Sequence, residues 1–546
     1  VVEDLEDQGL EGETSSVSEI PKTNITRAVG SMATGTVLSR ATGLLRILVL
    51  AYVLGISPLA DSYNLANTVP NMLYDVVLGG VLAATFIPVF VERLTLKTER
   101  EAWRSISSVV TLAVVVLAAA TLVTILAAPW IIDAFTFYHH VASTKDPTKL
   151  ASQRQLATEL LRWFAPQIFF YGLWSIATAL LNVRRKFGAP MWVPIANNLV
   201  CIAVLLFFAS IDPAPSLHSV TQSQSQVLLL GLGTTAGVVA QTLLLIPSLA
   251  RSRLRLLRWR FDLRDEAVAA IVRLGSWTFG FVILNQIALY VILALAFGSG
   301  GVGPVSSYTY AYTFFQMPYA VVAVSVMSAV TPDLATHHTL GDLEAFARRF
   351  GSGLRAVLAV IIPSSIAIFV LARPAVALLL GHGNADAAQT RQTGTMLAEL
   401  SLGLVGFVVF QFVIRALQAM QRARAAFWLY LVENGLTVLA ALLLVKPLGL
   451  AGLGLAIALG YNVGALGGLA LLHSWLGRLG APGCYRPLGR VLVASLAMGI
   501  TVLVISNLST ATSGPALFLR VAGSVILGGL VYLGTISWLA RRRVRR

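Results

Sequence analysis

Charge is scarce in this chain: 12% of its 546 residues are Asp, Glu, Lys or Arg, against about 25% in a soluble domain. That deficit excludes a string of ordinary globular domains, and with them long disorder and nucleic-acid-binding modules. Cysteine is scarcer still. Cys201 in an apolar run and Cys484 in a basic loop fit neither a disulfide framework nor a metal-ligand pattern, so no redox compartment follows from them. No positive, apolar and small-residue leader precedes the first apolar run, and a chain starting at Val1 reads as trimmed. Residues 1–26, acidic and poor in aromatics, are expected to be a disordered tail.

Apolar sequence is abundant: 56% of residues, with a mean hydropathy of +0.77. At about 20 residues per crossing, the apolar runs give about fourteen spans, from 29–55 and 61–92 to 490–508 and 517–540. A run of that length in lipid closes its own backbone hydrogen bonds, so the spans are helices. The fold class is thus an all-α polytopic membrane protein.

The net charge of +15 is explained by position. Basic residues gather on every second loop: Arg93, Lys97, Arg100 and Arg104; Arg184 to Lys186; Arg251 to Arg264; Arg348 and Arg349; Arg422 and Arg424; Arg478, Arg486 and Arg490; and Arg541 to Arg546. By the positive-inside rule these loops are cytoplasmic, and an even span count puts both termini there too. Their charge also favours contact with anionic membrane lipids.

A weak repeat divides the chain. Leu181, Asn182, a basic turn, Ala189, Trp192 and Asn198 are echoed 236 positions later at Leu417, Gln418, a second basic turn, Ala425, Trp428 and Asn434. Tyr63, Ala66 and Pro88 are echoed at Tyr308, Ala311 and Pro332. A shift of six spans preserves orientation, so the repeat is parallel, with a substrate path expected between lobes. The expected organisation is an N-lobe at 27–248, a basic cytoplasmic linker at 249–265, a C-lobe at 266–477, two extra spans at 478–540 and a basic tail at 541–546.

Polar residues inside spans mark the candidate site. Arg40 and Arg46 lie within the first span, where each would cost about 2.5–3.5 kcal/mol if it faced lipid. They flank Gly43 by about 60° on either side, and Thr36 and Ser39 share that half of the helix, which suggests a cavity face. The second span carries Asp61, Asn64, Asn67, Thr68, Asn71, Asp75 and Gly79 at spacings of three or four, a polar face suited either to lining a cavity or to interhelical hydrogen bonds. Asp75 is a candidate partner for Arg40 or Arg46. The eighth span shows Tyr308, Tyr312, Thr313, Phe315, Gln316 and Tyr319 around Pro318. Gln411 and Arg415 in the tenth span, and Glu433 and Asn434 in the eleventh, complete the set. Arg415 can snorkel; Glu433 can pair with it or hold a cation.

Other apparent motifs carry no chemistry. The glycines at 298–303 make a turn with no GK[ST] after them, and those at 449–468 permit close helix packing. The pairs His139-His140 and His337-His338 point their side chains apart, so no metal site is expected. No nucleophile–base constellation emerges, and neither a cofactor nor enzymatic activity is expected.

With these residues in view, the chain resembles the lipid II flippase family, MurJ or MviN, of the multidrug/oligosaccharidyl-lipid/polysaccharide (MOP) exporter superfamily. The carriers are SRATGLLR at 39–46, GISPLADSYNLANTVPN at 55–71, TFIPVF at 85–90 and YTYAYTFFQMPYAV at 308–321. The resemblance implies two six-helix lobes around a cationic cavity and a polyprenyl-tail groove made by the last two helices. It also implies a substrate, the undecaprenyl-pyrophosphate-linked disaccharide-pentapeptide, and a bacterial plasma membrane location. Arg40 and Arg46 match the family's paired cavity arginines, and Asp61 its acidic position. Tyr74, Asp75 and Thr313 stand where many members have basic residues, leaving Arg40, Arg46 and Arg415 for the pyrophosphate. With six lysines against thirty-four arginines and abundant alanine, the chain resembles the membrane portion of an actinobacterial member, with cytosolic regulatory or wall-synthesis proteins as further expected partners. The alternative is a cation-coupled exporter of drugs or of another polyprenyl-linked glycan on the same fold.

Overall fold

The structure is a computed structural model, and it describes residues 22–76, 90, 98–140, 147–184, 186, 188–251, 258–262, 264–477, 485–508 and 514–544. Most of the expected N-terminal tail lies outside these residues, as do Gly79, Arg93, Lys97, Arg185, Arg253, Arg255, Arg478 and Cys484. Among the described residues there is no strand.

The N-lobe consists of α1 (Lys22–Leu54), α2 (Pro58–Tyr74), α3 (Glu99–Thr136), α4 (Pro147–Phe164), α5 (Pro166–Val183), α6 (Gly188–Ile211), α7 (Leu217–Gln222), α8 (Gln224–Leu243) and α9 (Ile246–Ala250). The C-lobe consists of α10 (Glu266–Gly298), α11 (Pro304–Pro318), α12 (Val324–Thr339), α13 (Leu343–Leu380), α14 (Ala387–Ser401), α15 (Leu404–Ala419), α16 (Ala423–Leu448) and α17 (Leu450–Leu476). The last two helices are α18 (Tyr485–Leu508) and α19 (Gly514–Val544). Among the described residues, twelve helical stretches are long and apolar enough to cross a membrane, and α14 with α15, bent by 50°, makes a thirteenth. The 17-residue α2 runs on towards residues outside the description. α1 already begins at Lys22, about a turn before the boundary expected at residue 27.

Local chemistry sets the element ends. Gly55 turns the chain after α1 at a φ of +69, Ser57 caps α2 by accepting from Ala60 N at 3.2 Å, and Pro58 occupies the first turn, where no amide donor is missed. Gly303, at a φ of +66, and Pro304 start α11 in the same manner. Pro318 is followed by a π-turn at Tyr319–Ala323, so the eighth span changes helical type where its aromatic cluster sits. Between α14 and α15 the backbone breaks at Leu402-Gly403, and neighbouring helices supply donors: Ser365 Oγ to Ser401 O at 2.6 Å and Asn462 Nδ2 to Leu402 O at 3.1 Å. On α17, Gly460, Gly464 and Gly468 bring its backbone against Thr437, Glu433 and Val413, the close approach that small residues allow.

The sequence repeat has a structural counterpart. Asn198 on α6 donates to Ser39 O and Thr42 Oγ1 of α1, each at 3.1 Å, and its echo Asn434 on α16 donates to Asn285 Oδ1 of α10 at 2.9 Å. Each asparagine ties the fifth membrane crossing of its lobe to the first.

Candidate functional site

At one end of the bundle the lobes are tied together. Asp61, 1% exposed, accepts hydrogen bonds from Ser306 N at 2.7 Å and from Ser306 Oγ at 2.8 Å. The carboxylate of α2 thereby caps the N-terminus of α11, whose own cap residue, Gly303, has no side chain, and it meets the positive end of that helix. Asn64 Nδ2 donates to Ser306 Oγ at 3.0 Å. The separation of Asp61 and Ser306, 245 positions, is the offset at which Tyr63 and Ala66 are echoed by Tyr308 and Ala311 in this part of the repeat. Two equivalent positions in contact lie beside the axis relating the lobes. Around them Asn384 Nδ2 donates to Val53 O at 2.7 Å, Asn384 N to Tyr52 O at 3.1 Å, and Gly303 lies against the Ile56 carbonyl. We call this the closed end.

Towards the other end lie the cations. Arg40 and Arg415 are exposed, and Tyr319 at the π-turn is within electrostatic reach of both. Arg415 Nη1 also donates to Gln418 Oε1 at 3.3 Å. Arg46 has other company: it is only partly exposed and faces Cys201 of α6, Tyr171 of α5 and Tyr63 of α2, within the N-lobe. Six residues turn a helix through about 600°, so Arg40 and Arg46 sit about 120° apart, enough to separate their neighbours. The face between them is packed, because Ser39 O bonds Asn198 and a Cβ at Gly43 would meet Asn198 Nδ2 at 3.5 Å. The partner of Asp75 is Gln286 of α10, which donates from Nε2 at 3.3 Å.

Within the C-lobe a cavity of 340 Å³ is lined by Tyr312, Gln316, Gln411, Glu433 and Asn434, among others. Glu433, 3% exposed, accepts from Thr437 Oγ1 at 3.3 Å. Tyr312 stacks on Tyr308 with centroids 5.6 Å apart and approaches Tyr461 Oη at 3.5 Å. Thr313 returns its hydroxyl to Thr309 O, Asn71 bonds Asn67 O, and Asn67 is half-buried on α2. Among the described residues no group of three or more His, Cys, Asp or Glu could hold a metal ion. Residue-type patterns gave no sign of Ser306, Asn384, Asn285, Gln286 or Tyr461. For Ser306 a signal exists: the repeat offset added to Asp61 falls on it.

Two lobes related in parallel, tied at one end and carrying cations towards the other, make up a multi-pass helical membrane protein with the fold seen in MOP-superfamily transporters. The fold matches an inward-facing multidrug resistance MATE transporter of that superfamily with a TM-score of 0.67 at 16% identity, covering 80% of this chain and 95% of that one. It matches lipid II flippase MurJ in the inward closed conformation with a TM-score of 0.75 at 22% identity, covering 94% and 99%. The chain belongs to the lipid II flippase MurJ family, whose model matches residues 50–522. Lipid II flippase MurJ of Burkholderia cenocepacia is 26% identical over 452 residues, 81% of this chain and 83% of the relative. The probable lipid II flippase MurJ of Haemophilus influenzae is 25% identical over 525 residues, 93% and 98%.

Proposed function

We propose that the chain moves lipid II from the cytoplasmic to the outer leaflet by alternating access, without making or breaking a covalent bond. The observation that carries this reading is that Arg40 of the N-lobe and Arg415 of the C-lobe both lie within electrostatic reach of Tyr319. A pyrophosphate between them accepts charge-assisted hydrogen bonds from both lobes at once, and the planar guanidinium suits that anion better than an ammonium. Arg46, deeper among Tyr63, Tyr171 and Cys201, is the next cation along the path. With the basic loops cytoplasmic and both termini inside, the Asp61–Ser306 end faces outward and the cations accept headgroup from within. Export of the anion is then aided by an inside-negative potential, by about 2.3 kcal/mol per charge per 100 mV. Residues 27–248 and 266–477 act as the rocking lobes, residues 478–540 hold the polyprenyl tail, and cytosolic regulatory proteins dock on the basic loops.

The test is direct binding of purified lipid II to the full chain. Each of Arg40→Ala and Arg415→Ala removes a charge-assisted contact worth about 1.5–3 kcal/mol, so each weakens binding roughly 10- to 150-fold, while Lys substitutions retain part of it. Unchanged affinity in a folded double variant refutes the pyrophosphate site. The second reading, a cation-coupled exporter of drugs or of another polyprenyl-linked glycan, rests on Glu433 in its cavity. Under that reading Glu433→Gln abolishes binding and the arginine variants do not.

A further inference from the structure

α13 contains a stretch without ionisable residues, Ala356–Ala372, bounded by Arg355 and Arg373. Seventeen residues rise about 26 Å, close to the thickness of a hydrocarbon core. Arg355 therefore marks one membrane interface and Arg373 the other. α17 carries the same mark, since no charged residue occurs from Leu450 to Leu472 and His473 follows. At the level of Arg355 and His473, a cavity of 410 Å³ opens among α13, α15, α17 and α18. Its walls are aliphatic and aromatic, with Leu354, Leu358, Val409 and Leu469 prominent. Among the described residues of the lining, Arg355 and His473 are the ionisable ones and none is a carboxylate. Ala470 and His473 are exposed at its mouth, and Leu358 and Val409 are buried at its back. α19 contributes nothing to the lining, so this cavity is separate from a tail groove shared by the last two helices.

We propose that this cavity binds an anionic glycerophospholipid of the surrounding leaflet. Its phosphodiester lies between Arg355 and His473, and an acyl chain runs over Leu358, Val409 and Leu469 towards the bilayer centre. Charge complementarity selects the headgroup. A basic pocket between helices attracts an anionic lipid, whereas a zwitterionic headgroup brings a cation of its own beside the arginine. The apolar walls select a lipid over a free phosphate. Bound there, the lipid braces α13 against α17 and α18, and α13 is the helix whose Ser365 caps the break between α14 and α15.

The experiment uses the purified full chain in a zwitterionic detergent. Phosphatidylglycerol, phosphatidylcholine with the same acyl chains, and soluble glycerol phosphate are added in turn, with native mass spectrometry and Tm as readouts. Expected is one tightly retained phosphatidylglycerol and a rise in Tm with phosphatidylglycerol alone. Arg355→Gln with His473→Gln removes one cation and one hydrogen-bond donor and weakens that retention by roughly 10- to 50-fold. Ala470→Phe, at an exposed position, blocks the mouth while leaving Arg355 and His473 in place. It also keeps the test open if the charge variant fails to fold. Lipid II affinity is unchanged in both variants. Equal retention of phosphatidylglycerol by either folded variant overturns the proposal. So does equal stabilisation by phosphatidylcholine or by glycerol phosphate.

Discussion

Removing the Asp61 carboxylate should release the closed end. Its two hydrogen bonds to Ser306 are charge-assisted and shielded from water, and such bonds contribute about 1.5–3 kcal/mol each. The position before the first turn of α11 adds a few tenths of a kcal/mol through the helix dipole. Asp61→Asn keeps the volume and the Oδ1 acceptor that takes both bonds but removes the charge that strengthens them. The net loss is about 2–3 kcal/mol, which moves the closed-to-open ratio at this end by roughly 30- to 150-fold. Asp61→Ala loses both bonds and moves it further, and Ser306→Ala, which loses one bond at about 1.5 kcal/mol and leaves the backbone bond intact, moves it about tenfold. Pulsed electron resonance reads the change directly. Spin labels at Ala151 on α4 and Ala388 on α14, both exposed near this end, report the separation of the lobes in a Cys484→Ser background, where Cys201 is buried and protected from label. A long-distance population should grow in the order Ser306→Ala, Asp61→Asn, Asp61→Ala. If the three distributions match that of the unsubstituted chain, Asp61 is a local cap and not a tie between lobes.

Gly303→Ala should lower Tm and loosen the same end, because a left-handed residue with a Cβ costs about 1–2 kcal/mol and that Cβ runs into the Ile56 carbonyl. Gly300→Ala, with a φ of +83 but open space around it, incurs only the backbone part and is the control. In the linker, the hydrogen bond from Arg260, with a second from the Arg264 amide, holds the Asp262 carboxyl below the ordinary carboxylate range. A lowered folded-state value means that the contact is present above the unfolded value near about 4 and is lost as pH falls through the folded one. Hydrogen-exchange protection at the Arg264 amide should therefore persist at neutral pH, vanish in strong acid, and be absent in Asp262→Asn at both.

The fold was legible because the bilayer imposes a length rule and the loops carry their charge in alternation. The duplication was legible at Asn198 and Asn434, whose echo in sequence is an echo in bonding: each joins two helices of its own lobe. Side-chain destinations were harder. Arg40 and Arg46 share half of a helix circumference, yet about 120° suffices for one to face Tyr319 and the other Tyr63 and Tyr171. Periodicity places a residue on a face but does not say what packs there, and the face around Gly43 is taken by Asn198. The polar stripe of α2 mixes fates for the same reason: Asp61 and Asn64 reach the other lobe, whereas Asn71 bonds within its own helix. Asp75 pairs with a glutamine 211 positions away, a distance over which no local pattern carries information.

The interruption between α14 and α15 divides one crossing into two arms with separate loyalties. The outer arm is fastened to α11 through Thr393 Oγ1 and Ser307 Oγ, 3.1 Å apart, while the inner arm bears Gln411 and Arg415. Since Ser365 and Asn462 already satisfy the loose carbonyls, the angle between the arms can change without baring a peptide group to lipid. Under the alternating access proposed above, the tenth crossing is an elbow: one arm can swing with the outward door while Arg415 on the other holds its place at the inward threshold.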